Sequence, residues 1–119
     1  MNEARQLVDT IVKGIQEKKG SRIVVADLQS IEGAIAKYFV ICQGGSPQQV
    51  EAITDSVAET TRIDLKEKPS RTVGLEQALW VAMDYGDVLV HIFVPDMRDY
   101  YDLEHLWEDA PMEHIEDED

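Results

Sequence analysis

Apolar residues near the start of the chain recur at helical spacing: Leu7, Val8, Ile11, Val12 and Ile15 share one face. Asn2 is a candidate cap before them, and the lysine pair Lys18–Lys19 followed by Gly20 suits a helix end, so a first amphipathic helix is expected. The period then shortens. RIVVADL (22–28) and YFVICQ (38–43) predict two strands, and the second is apolar on both faces, as a central strand requires. In GGSPQQVEAI (44–53), Ser46 is an N-cap, Pro47 takes the first helical position and Gln49 completes a capping-box start. Val50, Ile53 and Val57 continue one face, and the helix should end near Leu65, before KEKPSR.

Thr72 and Val73 predict a short strand, and LWVAMDYGDVLVHIFV (79–94) predicts two strands joined at Tyr85 and Gly86. Alternation around that loop sets Asp84 against Asp87, Ala82 against Leu89 and Trp80 against His91 on one side of the sheet. Val81, Met83, Val88, Val90 and Ile92 form a core face on the other. Asp96 is expected to cap a last helix, with Tyr100, Leu103 and Trp107 on its packed face and Leu106 beside them. Asp99, Asp102 and Glu104 spread toward water. Arg98, the sole cation after Arg71, is expected to tie to Asp102 or to the hairpin carboxylates.

The order helix, strand, strand, helix, strand, strand, strand, helix describes an α/β (α+β) domain with a single mixed β-sheet and flanking helices over residues 1–107. EDAPMEHIEDED (108–119) carries seven acids and no base, and predicts a frayed acidic tail. The whole chain, 119 residues and 44% hydrophobic, is the size of one core. No apolar run approaches the roughly 20 residues that span a bilayer, and MNEARQ lacks a secretion signal's order, so a cytoplasmic protein without membrane contact is expected. Cys42 is the one cysteine, which excludes an internal disulfide and fits a buried strand thiol in a reducing compartment.

Charge changes the picture because it is unevenly placed. Residues 1–71 hold ten acids and ten bases, whereas 72–119 hold fourteen acids and Arg98, which accounts for the net charge of −13. Such a field disfavours nucleic acid, and direct DNA binding with it, and favours a basic protein partner.

Catalytic readings are weaker. GGS before a helix can seat a phosphate on backbone amides, as in nucleotidyltransferase-type sheets, but the following segment lacks their alternating pair of acids, and a helix cap explains the turn better. His91, His105 and His114 show no zinc spacing. Cys42 with His91 could pair as nucleophile and base, yet nothing local supports an activated thiol. No catalytic, metal or cofactor residue is assigned.

WVAMDYGDVLVHIF followed by RDYYDLEHLW resembles the C-terminal signature of the ribosomal silencing factor RsfS, the iojap-like family, and YFVICQGGSPQQVEAI resembles its second strand and helix start. The likeness covers about residues 2–107. The threonine-aspartate usual before the YFVI strand is replaced by Ala36 and Lys37, and the arginine common after GxS by Gln48. The resemblance implies a nucleotidyltransferase-like core without catalytic acids and a translation repressor that is not an enzyme. It implies binding to large-subunit ribosomal protein fourteen and steric obstruction of subunit joining under nutrient limitation; organelle relatives act in large-subunit assembly. A cryptic nucleotidyltransferase-like nucleotide-binding protein or a large-subunit assembly factor is the alternative, and oligomeric state, a homodimer included, stays open. Trp80 is the leading docking anchor, with Asp84, Tyr85, Asp87, His91, Tyr101 and Glu104 as secondary candidates.

Overall fold

The structure, a computed structural model, describes residues 3–117; the candidate cap Asn2 lies outside them. Its elements in chain order are α1 (Glu3–Glu17), β1 (Ser21–Asp27), β2 (Tyr38–Gln43), α2 (Pro47–Leu65), β3 (Arg71–Val73), β4 (Trp80–Asp84), β5 (Val88–Phe93), α3 (Pro95–Tyr101), α4 (Leu103–Leu106) and β6 (Met112–Ile115). The strands form one sheet in the order β3-β4-β5-β2-β1-β6. β2 lies centrally, parallel to β5 and antiparallel to β1, and every other pairing is antiparallel. The sheet is therefore mixed, as the element order requires.

α1 and α2 cover one face of this sheet. The predicted stripe Leu7, Val8, Ile11, Val12 and Ile15 is buried there with Val50, Ile53 and Val57 and with Val40, Val81, Met83, Val90 and Ile92 from the strands. The two helices meet at Gly14, where a Cβ would stand 2.9 Å from the Val57 Cα, and the Ser56 hydroxyl donates to the Gly14 carbonyl at 2.7 Å. Any larger residue at position 14 would wedge them apart. Ser46 Oγ accepts from the Gln49 amide at 3.2 Å, and Gln49 in turn accepts from the Gly45 amide at 2.6 Å. Its Nε2 donates to the carbonyls of Lys18 and Lys19, so the capping residue also ties the end of α1 to the start of α2. No helix among the described residues is long and apolar enough to cross a membrane.

The C-terminal quarter departs from expectation in two places. The last helix is broken: α3 starts at Pro95 with Val94 in the cap position, Asp96 sits inside the first turn without capping, and Asp102 adopts φ 49° before α4 resumes. The break turns Tyr100 and Leu106 outward, 79% and 67% exposed, while Leu103 and Trp107 pack half-buried on the sheet. Arg98, expected to tie to Asp102 or to the hairpin carboxylates, is 3% exposed. It reaches neither Asp102 nor the hairpin; its Nε and Nη2 each meet a Glu104 carboxylate oxygen at 3.1 Å, and Nη1 donates to the Arg22 carbonyl at 2.6 Å. That carbonyl is available because β1 bulges between Ser21 and Val24, with Arg22 at φ 50°.

The second departure is the acidic segment. Within the described part of residues 108–119, the expectation of a frayed tail is corrected: Met112–Ile115 pairs antiparallel with β1, and the Asp27 amide donates to the Pro111 carbonyl at 2.9 Å. The cause is non-local. Without β6 the outer row of β1 amides and carbonyls would be an open edge, and main-chain pairing satisfies them whatever the side-chain charge. Glu113 is held by Arg5 at 2.6 Å.

Candidate docking surface

The second face of the sheet is covered thinly. Its buried cluster is Ala26, Leu28, Phe39, Ile41, Phe93 and Ala110, flanked by half-buried Trp80, Leu89, Met97, Leu103 and Trp107. Over β5 the cover is the short α3. Trp80 sits at this margin. Its ring stacks on Phe93 at 5.2 Å and meets Tyr101 at 4.5 Å, and its Nε1–H donates to His91 Nδ1 at 3.1 Å. His91 is 7% exposed and lies 4.7 Å from the Phe39 ring. Burial pushes its pKa down to about 4, so at neutral pH it is an uncharged acceptor that fixes the indole in plane. Phe39 also meets Trp107 edge-on at 5.6 Å, which continues the aromatic layer under α4.

The hairpin register is shifted from the expected one. The strands pair Trp80 with Phe93, Ala82 with His91 and Asp84 with Leu89, so the loop is Gly86–Asp87 and not Tyr85–Gly86. Gly86 stands at φ 86°, a conformation that selects glycine for that loop position. A one-residue move of the loop shifts partners by two and leaves each side chain on its predicted face. Trp80 and His91 therefore still meet, diagonally.

Asp84 does not oppose Asp87: its Oδ1 accepts from the Gly86 amide at 2.8 Å, and Asp87 is exposed at the tip, 3.8 Å from Lys37 Nζ. Tyr85 points to the helix-covered face, where its hydroxyl lies 2.9 Å from Thr61 Oγ1 and burial raises its pKa. Tyr101 is 46% exposed beside Trp80. Glu104 is engaged by Arg98 from beneath.

Beside Trp80 the surface opens into a groove of about 600 Å³, lined by Val73, Leu75, Gln77, Trp80, Met97 and Tyr101 among others. Its far wall is the loop between β3 and β4. Gly74, at φ 94°, passes so close that a Cβ would lie 2.1 Å from the Trp80 carbonyl oxygen, and buried Ala78 takes φ 55° with its amide donating to the Gly74 carbonyl at 2.9 Å. Both left-handed residues hold the loop tight against the strand. Val73, Leu75 and Met97 were missed as site residues; the only signal was GLEQAL, two leucines in a polar stretch with no element to bury them.

The catalytic alternatives meet geometric obstacles. Two amides of the GGS turn are already used, Gly44 donating to the Phe93 carbonyl and Gly45 to Gln49, and the Gln49 amide at the helix start donates to Ser46. Cys42 is buried among the α1/α2-side core, its thiol pushed up to about 12, whereas His91 faces the other side of the sheet. Among the described residues no three His, Cys, Asp or Glu side chains are grouped to hold a metal ion.

The fold and this surface define a small mixed-sheet module with one armoured face and one face left half-open around an aromatic groove. Comparison with known proteins gives the family. A family model described as ribosomal silencing factor during starvation, RsfS, matches residues 1–119, and the chain belongs to that family. It is 41% identical over 115 residues to the ribosomal silencing factor RsfS of Halalkalibacterium halodurans, covering 94% of each chain. It is 36% identical over 115 residues to that of Bacillus subtilis, covering 94% of this chain and 92% of the relative. A crystal structure of a Chromobacterium violaceum protein, 30% identical, superposes with a TM-score of 0.83 over 90% of this chain and 88% of that one.

Proposed function

We propose that this protein silences ribosomes by docking on the large subunit through large-subunit ribosomal protein fourteen, where its bulk blocks the small subunit and represses translation under nutrient limitation. The observation that carries the reading is the half-open aromatic groove at Trp80, set in the acidic part of the chain. Trp80 and Tyr101 touch the partner, with Val73, Leu75 and Met97 supplying apolar area. Asp84 and Asp87 form a charged rim that steers toward a basic protein. His91 and Glu104 act from below, the first by orienting the indole and the second through Arg98. Tyr85 anchors the hairpin tip from the other face.

The mechanism is exclusion, without bond chemistry. A partner footprint of roughly 800 Å² is the ordinary size for a specific complex, and a few aromatic anchors supply most of its affinity. A domain 35 × 33 × 28 Å across, seated where the subunits meet, is far too large to share a gap closed by direct contacts. The protein works in the cytoplasm as a single folded unit, and catalysis plays no part.

Sucrose-gradient sedimentation of purified subunits tests this. Added protein is expected to comigrate with large subunits and to deplete the joined particle in proportion to its occupancy. Comigration with joined ribosomes would contradict the exclusion mechanism.

A further inference from the structure

The chain reverses sign at Arg71. Residues 62–71 hold four bases, Arg62, Lys66, Lys68 and Arg71, against two acids, immediately before the half that carries fourteen acids. Arg62 is occupied by Glu59 at 2.8 Å, and Asp64 by Lys13 at 3.0 Å. Lys66, Lys68 and Arg71 are exposed and, among the described residues, meet no carboxylate within 4.0 Å. In a protein with a charge of −13, these exposed cations without an acidic partner form one of two such groups among the described residues, the other being Lys18, Lys19 and Arg22.

These cations sit on a fixed loop. Lys66 closes α2 at φ 56°, its amide donating to the Arg62 carbonyl at 3.1 Å, and the Glu67 amide donates to Thr61 O at 3.2 Å. Farther on, the Ser70 amide donates to the Asp84 carbonyl at 2.8 Å, which fastens the loop to the end of β4. Arg62, Lys66, Glu67 and Lys68 line one shallow depression. The negative end of the α2 dipole accounts for a cation at Lys66, but Lys68 and Arg71 lie past its reach of about one turn.

Arg71 is the register partner of Asp84, and Trp80 stands at the other end of the same strand, about 13 Å away at strand rise. An interface of ordinary size is roughly 30 Å across. Whatever covers the groove therefore brings its surroundings to Arg71, five positions after Lys66 on the loop that leads from α2. A basic ribosomal protein cannot satisfy those cations; the phosphodiester backbone that surrounds such a protein can.

Resting on the docking reading above, we infer that Lys66, Lys68 and Arg71 form a phosphate-contacting patch that engages ribosomal RNA backbone beside the protein held by the groove. The two signs then divide the labour. Acids address the protein, cations address the RNA, and only a site offering both in the right spacing is bound well. The contact reads backbone and not sequence, because lysines meet phosphate as point charges.

The test compares two variants of equal charge change. Lys66→Glu with Lys68→Glu alters the patch; Lys18→Glu with Lys19→Glu alters the other end of α2, about 28 Å away at helical rise. Binding is measured to intact large subunits and to isolated ribosomal protein fourteen, after circular dichroism shows that both variants are folded. The patch variant is expected to lose roughly tenfold on subunits with a salt slope shallower by about one per lysine, and to stay within about twofold on the isolated protein. The control pair should hold both affinities. Equal subunit affinity for patch variant and wild type, equal loss in both variants, or an equal loss on the isolated protein each overturns the patch. Failure of the wild type to bind the isolated protein would instead overturn the docking reading.

Discussion

The two faces of the sheet differ in how they are covered. One lies under two helices of 15 and 19 residues, and its strand side chains Val81, Met83, Val88, Val90 and Ile92 are wholly buried. The other lies under a seven-residue helix, a four-residue helix and loops, and leaves Trp80 and Leu89 half-exposed and Tyr101 open. Where the cover is thick, the buried strand side chains are apolar, and the buried hydroxyls of Thr54, Ser56 and Thr61 belong to α2 and bond mainly to backbone carbonyls. Where it is thin, polar groups enter the layer: the Trp80 indole donates to His91 Nδ1 and Arg98 pairs with Glu104, while His91 Nε2 and the Trp107 Nε1 are buried without a hydrogen-bond partner. The thick face holds the sheet rigid so that the thin face can present an ordered surface to something else.

The largest expected effect falls on the covered face. Ile11→Ala removes a fully buried side chain between α1 and the sheet and should cost about 4 kcal/mol of unfolding free energy in urea titration. A loss under about 1 kcal/mol would mean that the two faces do not differ as described.

Next comes His91, on the thin side. The imidazole of the unfolded chain protonates near pH 6.5, whereas burial holds the folded one neutral down to about 4. Between those values the unfolded state binds more protons, so stability falls as pH falls, by about 3 kcal/mol in all, and the loss levels off once both states are protonated. Denaturation midpoints across that range, compared with those of His91→Gln, read this directly; the variant should show a flatter curve. An unchanged slope would place the acid sensitivity elsewhere.

The smallest effect sharpens the contrast from the other end. Leu106→Ala, although leucine, should change stability by less than about 0.5 kcal/mol because the side chain faces water. A cost near that of a core leucine would mean α4 packs more closely than its exposure indicates.

Much of the fold was legible because its signals are local. The stripe from Leu7 to Ile15, the Ser46–Pro47–Gln49 start and the alternation in VLVHIF each act within a few residues, and all three elements form where expected. The hairpin loop was placed one residue early because Tyr85–Gly86 and Gly86–Asp87 are both acceptable turns; the register came from pairing further along the strands. The break at Asp102 was hidden for a different reason. It depends on Arg98 finding a bulge carbonyl at Arg22 and a carboxylate at Glu104, and the bulge lies 76 positions away along the chain. The sixth strand was masked by its acids, since composition reports side chains and edge pairing uses the backbone.

Of the candidate site, Trp80 and Tyr101 were singled out as separate anchors from a strand and a helix, and the structure brings their rings into contact at 4.5 Å. His91, a secondary docking candidate, lies beneath the surface, because Phe39 and Phe93 close around the ring. The groove itself was invisible in the pattern: Gly74 and Ala78 turn the backbone left-handed, and no periodicity marks such a loop.

Trp80→Ala offers the most direct trial of the docking claim. Measured by titration against large-subunit ribosomal protein fourteen and by co-sedimentation with large subunits, the variant should remain folded and bind weaker by about 2 kcal/mol or more, roughly thirtyfold. A folded variant that binds both as tightly as the wild type would contradict the account.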